Sequence, residues 1–321
     1  MTAANRIAEI FDSPREIADG PRVDAPSGGR LEMINVGFRF PDTPEDGAWA
    51  LRHVSATVEP GETLALVGST GSGKSVLAAL LSRLYDVTEG EIRIDGRDIR
   101  DLSLPALRQV VATAFEDPTL FSMSVAENLR LGRPDATDAQ LREAIDFAAA
   151  QFVYDLPFGL QTRIGEQGMS LSGGERQRLS LARAILATPR ILVLDDTLSA
   201  LDVHTEAIVT DALRSVLHGV TGIVVAHRAS TVLLADKVAL LQNGTITHLG
   251  THAELLARVL QYRYLLAADD ELDDNAQRSC AWEDDEQRSR LCLVYQEHEA
   301  TDAACEADNA SRFATSEAES R

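Results

Sequence analysis

The segment Gly68-Ser69-Thr70-Gly71-Ser72-Gly73-Lys74-Ser75 constrains this chain more than any other. It reads G-x-x-x-x-G-K-S without a mismatch. It stands between a short apolar run, Thr63–Val67, and a stretch with apolar residues at helical spacing, Val76–Leu84. Strand, glycine loop and helix in that order make half of a βαβ unit, so the fold expected around it is α/β. The spelling follows from the chemistry of a phosphate. Glycines let the backbone wrap an anion, helix-start amides and the helix dipole favour its charge, and Lys74 adds a positive point charge. Ser75 brings a hydroxyl to the place where Mg²⁺ would sit. A glycine-rich turn with an incidental lysine is the bland alternative, and the strand–loop–helix context argues against it.

The rest of the chain supplies the sheet. Leu31–Phe40 and Leu51–Val58 predict strands, and Glu91–Ile94 predicts another, closed by a turn at Asp95-Gly96. Residues 122–187 are rich in helical periodicity. Ile191–Leu194 is a continuous apolar run, the mark of a parallel strand covered on both faces. A helix over Thr205–Leu217, a strand over Gly222–Ala226, a hairpin over Val238–Ile246 turning at Asn243-Gly244, and a helix over His252–Leu266 complete the core. Two aspartates end the apolar run. Asp195 suits indirect coordination of Mg²⁺, and Asp196 stands where a base would orient water against a γ-phosphate. Paired aspartates after a strand often only begin a loop, and it is the upstream phosphate loop that gives this pair weight. Leu171-Ser172-Gly173-Gly174-Glu175 precedes a helix with Leu179, Ala182 and Leu186 on one face. Ser172 with Glu175 spells a capping box, and the two glycines also bare helix-start amides to an anion.

The phosphate loop, Leu171–Glu175, Ile191–Asp196, Ser199-Ala200-Leu201-Asp202 and His227, in this order, resemble the nucleotide-binding domain of ATP-binding cassette (ABC) transporters over residues 31–267. The resemblance implies a P-loop NTPase core with a mixed central sheet, an antiparallel β-subdomain and an inserted helical subdomain at about 117–187 that carries the signature. It implies ATP and Mg²⁺ as cofactors, with Ser75, Glu116 and Asp195 toward the metal. It further implies a head-to-tail dimer with a second cassette, in which Ser172 and Gly174 act on the partner's nucleotide. His227 matches the switch histidine that contacts the γ-phosphate, and Ser199–Asp202 match the loop that touches the other subunit. Thr162–Gly168 is similar to the segment by which exporter-type domains contact their transmembrane halves. Leu120-Phe121, Val125–Leu129 and a lead-in at Asn5–Pro14 fit the same type.

Three positions depart from the family pattern. Asp196 replaces glutamate at the base, Glu116 replaces the glutamine that ligates the metal, and Phe40 replaces the tyrosine that stacks on adenine. These departures resemble the slow half of an asymmetric exporter. The alternatives are a homodimer whose aspartate bases suffice and a module that mainly holds ATP. A cassette ATPase that moves no solute fits less well, since such proteins commonly carry basic surfaces, tandem cassettes or coiled coils.

Charge supports that exclusion. The formal net charge is −20, whereas a nucleic-acid backbone needs a basic face. Residues 268–321 are acidic and low in apolar residues, and they contain all three cysteines, Cys280, Cys292 and Cys305. They read as a disordered tail or a linker between halves. Residues 1–30 read as a linker from a transmembrane domain. No apolar stretch approaches the roughly 20 residues of a membrane helix. The resemblance places the domain at the cytoplasmic face of the cell membrane, held there by transmembrane partners.

Overall fold

The computed structural model describes residues 17–44, 47–165 and 171–266. The expected lead-in at Asn5–Pro14, residues Glu166–Gly168 of the exporter-like segment, and the acidic stretch 268–321 lie outside the described residues.

In chain order the elements are β1 (Leu31–Phe38), β2 (Leu51–Val58), β3 (Thr63–Val67), α1 (Lys74–Leu81), β4 (Glu89–Ile94), β5 (Arg97–Asp98), α2 (Leu104–Val110), β6 (Val111–Ala114) and α3 (Val125–Arg130). There follow α4 (Asp138–Phe147), α5 (Gly173–Leu186), β7 (Ile191–Asp195), α6 (Val203–Leu217), β8 (Thr221–Val225), α7 (Ala229–Val232), β9 (Lys237–Gln242), β10 (Thr245–Gly250) and α8 (His252–Arg258). They build two sheets. One is four-stranded and antiparallel, in the order β2-β1-β4-β5. The other has the order β10-β9-β3-β8-β7-β6, in which β9, β3, β8, β7 and β6 run parallel and β10 returns antiparallel. This is the mixed central sheet with an antiparallel subdomain that the resemblance implies.

Burial explains the sequence patterns. Ile191 and Val193 of β7 pack with α1 and the antiparallel sheet, while Leu192 and Leu194 pack with α3, α4 and α5 on the opposite face. Every residue of that strand is buried, and the four before its terminal Asp195 are apolar. In β2 exposed positions are interleaved with buried ones, because that sheet has one covered face. Among the described residues four helices open with a complete capping box, at Ser124/Glu127, Thr137/Gln140, Ser172/Glu175 and Thr251/Glu254. Each box satisfies orphan amides of the first turn reciprocally.

Several boundaries differ from expectation. Helix α1 ends at Leu81 rather than Leu84, because Arg83 adopts a left-handed backbone with φ 49°. Its buried guanidinium donates to the carbonyls of Ile99 and Leu102. The expected helix over His252–Leu266 breaks at Val259, which is extended, and residues 260–266 are helical again. Helix α2, capped by Ser103, and the four-residue strand β6 carry too short a pattern to be predicted.

Candidate functional site

Because β3, β8, β7 and β6 are neighbours and parallel, the segments that follow them leave the same edge of the sheet. Those segments are the phosphate loop, His227, Asp196 and Phe115-Glu116. Ligands of open α/β sheets bind outside the carboxyl ends of the strands. Residues far apart in sequence are thus gathered by topology alone.

The phosphate loop turns into α1 at Gly73, which has φ 102°. A Cβ there would lie 2.6 Å from Leu51 Cδ2 and 2.9 Å from the Ala50 carbonyl, so only glycine fits. Helix α1 has no acidic residue in its first turn, which leaves its positive end available to an anion. Lys74 is 6% exposed, and its Nζ donates to the carbonyls of Gly68 at 2.6 Å and Ser69 at 3.0 Å. The buried Ser72 hydroxyl has no hydrogen-bond partner, a donor oriented within a loop built for phosphate oxygens. Ser75 Oγ donates to Asp195 Oδ1 at 3.0 Å. Among the described residues no group of three His, Cys, Asp or Glu could hold a metal ion. The hydroxyl–carboxylate pair of Ser75 and Asp195 is a hard oxygen set that suits Mg²⁺ when phosphate oxygens complete the shell.

Asp195 and Asp196 share a strained electrostatic setting. Burial pushes the Asp195 carboxyl above its ordinary value. The Ser75 hydrogen bond pulls it back, and the charges of Glu116 and Asp196 raise it further. Asp196 is also raised, first by burial and then by Glu116, against the opposing charges of His227 and Arg228. The structure therefore brings Glu116, Asp195, Asp196 and His227 into mutual influence. Asp196 itself has φ 47°, a left-handed backbone that aspartate tolerates better than most residues.

Two further contacts hold this edge, and sequence reasoning missed both. Glu206 of α6, buried, pairs with Arg228 and accepts from Ser230 Oγ at 2.8 Å, which ties the segment carrying His227 to α6. Gln177 of α5, buried, bonds to Ser199 and Ala200 and to the Glu116 carbonyl. Gln177 stands between Arg176 and Arg178 in a polar first half of α5, so no local signal in the sequence marks it.

The signature starts α5. Ser172 accepts from the Glu175 amide at 3.2 Å and its own amide donates to Glu175 Oε2 at 2.7 Å, so the capping box forms as spelled. Gly174 abuts the loop after Asp196, and a Cβ there would stand 2.8 Å from the Ala200 carbonyl. Leu171 is buried, Ser172 is exposed, and so are Ser199 and Ala200. Leu201 is buried, and Asp202 caps α6 by accepting from the Thr205 amide. Residues 172–174 and the loop at Ser199-Ala200 accordingly lie against each other. Phe40 is 41% exposed, propped edge-on by Phe38 and Tyr85 at ring separations of 5.0 and 5.9 Å. It keeps an aromatic surface open to a planar base.

Fold and loop together define a P-loop nucleoside-triphosphate-binding domain. Comparison with known proteins is more specific. Residues 51–199 match the ABC transporter family model, so the chain carries an ATP-binding domain of the ABC transporter type. Domains of this kind are ATPases. The chain is 42% identical over 269 residues to YgaD of Bacillus subtilis (strain 168), whose name places it among multidrug export ATP-binding/permease proteins; the match covers 83% of this chain and 46% of YgaD. It is 42% identical over 275 residues to the multidrug efflux ATP-binding/permease protein Rv0194 of Mycobacterium tuberculosis (strain ATCC 25618 / H37Rv), covering 85% of this chain and 23% of that protein. A bacterial Atm1-family ABC exporter solved with ATP bound superposes with a TM-score of 0.76 at 35% identity, over 83% of this chain and 47% of that one. The chain thus spans less than half the length of these relatives. Among the described residues no helix is long and apolar enough to cross a membrane.

Proposed function

We propose that this chain binds ATP·Mg²⁺ in a head-to-tail dimer with a second cassette, and that the dimer drives export of a solute through transmembrane partners at the cytoplasmic face of a membrane. One observation carries the reading. Lys74, Ser75, Asp195, Asp196, Glu116 and His227 gather at one sheet edge, while Ser172–Gly174 and Ser199–Ala200 form a partly exposed surface beside it. The phosphate loop and Lys74 hold the phosphates, and Ser75 with Asp195 holds the metal. Asp196 accepts the proton of an attacking water, and His227 supplies a donor to the γ-phosphate. Ser172, Gly173 and Gly174 offer helix-start amides to the partner's nucleotide.

Two features make this chain's own site the slow one. Aspartate reaches less far than glutamate, and Glu116 adds negative charge beside a base that burial already disfavours. A groove of about 530 Å³ runs between the sheet edge and the helices, lined by Phe115, Pro118, Phe121, Leu131 and Arg183 among others. It is the proposed seat of loops from the transmembrane domains.

Sedimentation of the chain with and without ATP·Mg²⁺, alone and mixed with a candidate partner cassette, tests the dimer. Ser172→Arg should leave this chain's own ATP affinity intact and abolish nucleotide-dependent association. A variant that still associates, or that loses its own ATP binding, would refute the head-to-tail arrangement.

A further inference from the structure

Gln177 is 4% exposed, and its amide spends every contact on loops of the active edge. Its Nε2 donates to Ser199 Oγ at 3.1 Å and to the Glu116 carbonyl at 3.3 Å. Its Oε1 accepts from the Ala200 amide at 3.1 Å. Ser199 Oγ in turn donates to the carbonyl of Asp196 at 3.0 Å. One side chain on the signature helix therefore reaches the residue at the metal-side position, the dimer loop and, through one hydroxyl, the backbone of the base. Other polar residues of α5 do not span three loops: Arg176 and Arg178 donate to Leu171, Gly174 and Ala149, on their own helix and the helical subdomain.

We infer that Gln177 is a positioning residue, a strut that sets the placement of Asp196 and Glu116 according to the position of the signature helix. The argument is geometric. Asp196 sits in a left-handed conformation at φ 47°, one of the less populated backbone states, and such states persist when their surroundings over-determine them. The turn after it is closed by few bonds: Ser199 N and Oγ to the Asp196 carbonyl, Leu201 N to the Leu198 carbonyl, and the two contacts from Gln177. A helix that carries a signature toward another subunit's nucleotide is thus mechanically tied to the base of this subunit's own site. Movement of α5 relative to the sheet must be taken up at Ser199 and Ala200. No apolar residue of similar shape can make these bonds. Glutamate can keep the bond from Ala200 but cannot donate to the Glu116 carbonyl or to Ser199, since an ionised carboxylate accepts and does not donate.

The inference rests on the ATPase reading for its kinetic arm only. The test compares wild type with Gln177→Met and Gln177→Glu in the full chain. Amide exchange at Ala200 is followed without nucleotide, and ATP affinity, kcat and KM are measured with the partner cassette. The methionine variant should speed exchange at Ala200 by about 10-fold, because the one hydrogen bond from its amide to Gln177 is lost. It should cut kcat by about 10²-fold with KM and ATP affinity within about 2-fold, since displacement of a base by about 1 Å costs that much. The glutamate variant should keep the Ala200 protection and still lose rate, which a purely structural role would not separate. Unchanged exchange and unchanged kcat in Gln177→Met would overturn the inference, as would loss of ATP binding in step with kcat in both variants. If Gln177→Met does not fold, Gln177→Glu with wild-type kcat overturns it equally. A wild-type pair without turnover would count against the hydrolysis reading, and the exchange at Ala200 would still decide the strut.

Discussion

Lengthening the base by one methylene is the sharpest perturbation of the site. In Asp196→Glu the carboxylate moves outward by about one C–C bond, roughly 1.5 Å. General-base positioning contributes about 10²–10⁴-fold to rate, and misplacement near 1 Å costs about 10²-fold. The substitution should therefore raise the single-turnover rate by about 10²-fold. ATP affinity should hold within about 2-fold, because the proposed phosphate and adenine contacts lie on Lys74, the loop amides and Phe40. The backbone pulls the other way. Residue 196 has φ 47°, where glutamate is less at home than aspartate, and the strain should cost about 1 kcal/mol. For a domain of this size that lowers Tm by about 2–4 °C. The variant is thus expected to be faster and less stable. Phosphate release after rapid mixing of the ATP-loaded chain and partner cassette reads the rate, and a thermal melt of the same preparation reads the stability. A melt that shifts as expected with a rate that stays level or falls would refute the reach argument and assign the limit to Glu116 or to the partner's signature.

Other expectations follow from the same geometry. Ser75→Ala removes the hydroxyl that bonds Asp195, and should weaken Mg²⁺ affinity in the presence of ATP by about 10–100-fold, read by metal titration. Leu51 is fully buried against Gly73, so Leu51→Ala should cost about 2–5 kcal/mol in denaturant unfolding and also loosen ATP binding. The raised Asp196 carboxyl makes the folded chain hold more protons than the unfolded chain between the two pKa values, so its contribution to stability falls as pH rises through that window. Asp196→Asn should accordingly stabilise the nucleotide-free chain at neutral pH, with the advantage over wild type shrinking as pH is lowered. Melts of the two proteins across pH read that difference directly, and an advantage that grows toward acid would contradict it.

Much of this was legible in the sequence because the chemistry of phosphate binding dictates spelling. Gly68–Ser75 needs glycines where the backbone turns and a lysine and hydroxyl where charge and metal sit. Ile191–Leu194 needs apolar residues at every place because both faces of β7 are covered. Ser172/Glu175 announced a helix start that the structure forms. What was not legible has physical causes too. Strand β6 has four residues, too few to show a period, yet it carries Glu116 to the site. Arg83 ends α1 early because its buried guanidinium must reach Ile99 and Leu102, a tertiary demand that overrides helical periodicity. Gln177 and Glu206 are polar residues whose partners lie 22 to 61 residues away along the chain, a relation no local pattern records. That Asp196 and Glu116 stand within electrostatic reach of each other follows from the strand order β8-β7-β6, which spacing alone does not reveal.

The most direct test of the central claim is the ATPase rate of this chain alone and mixed with a partner cassette, with ATP binding followed in the same samples. The account predicts tight binding with little turnover alone, and turnover in the mixture that disappears when this chain carries Ser172→Arg. Brisk turnover by the chain alone, abolished by Asp196→Asn, would contradict the slow-site reading and make this domain a self-sufficient motor.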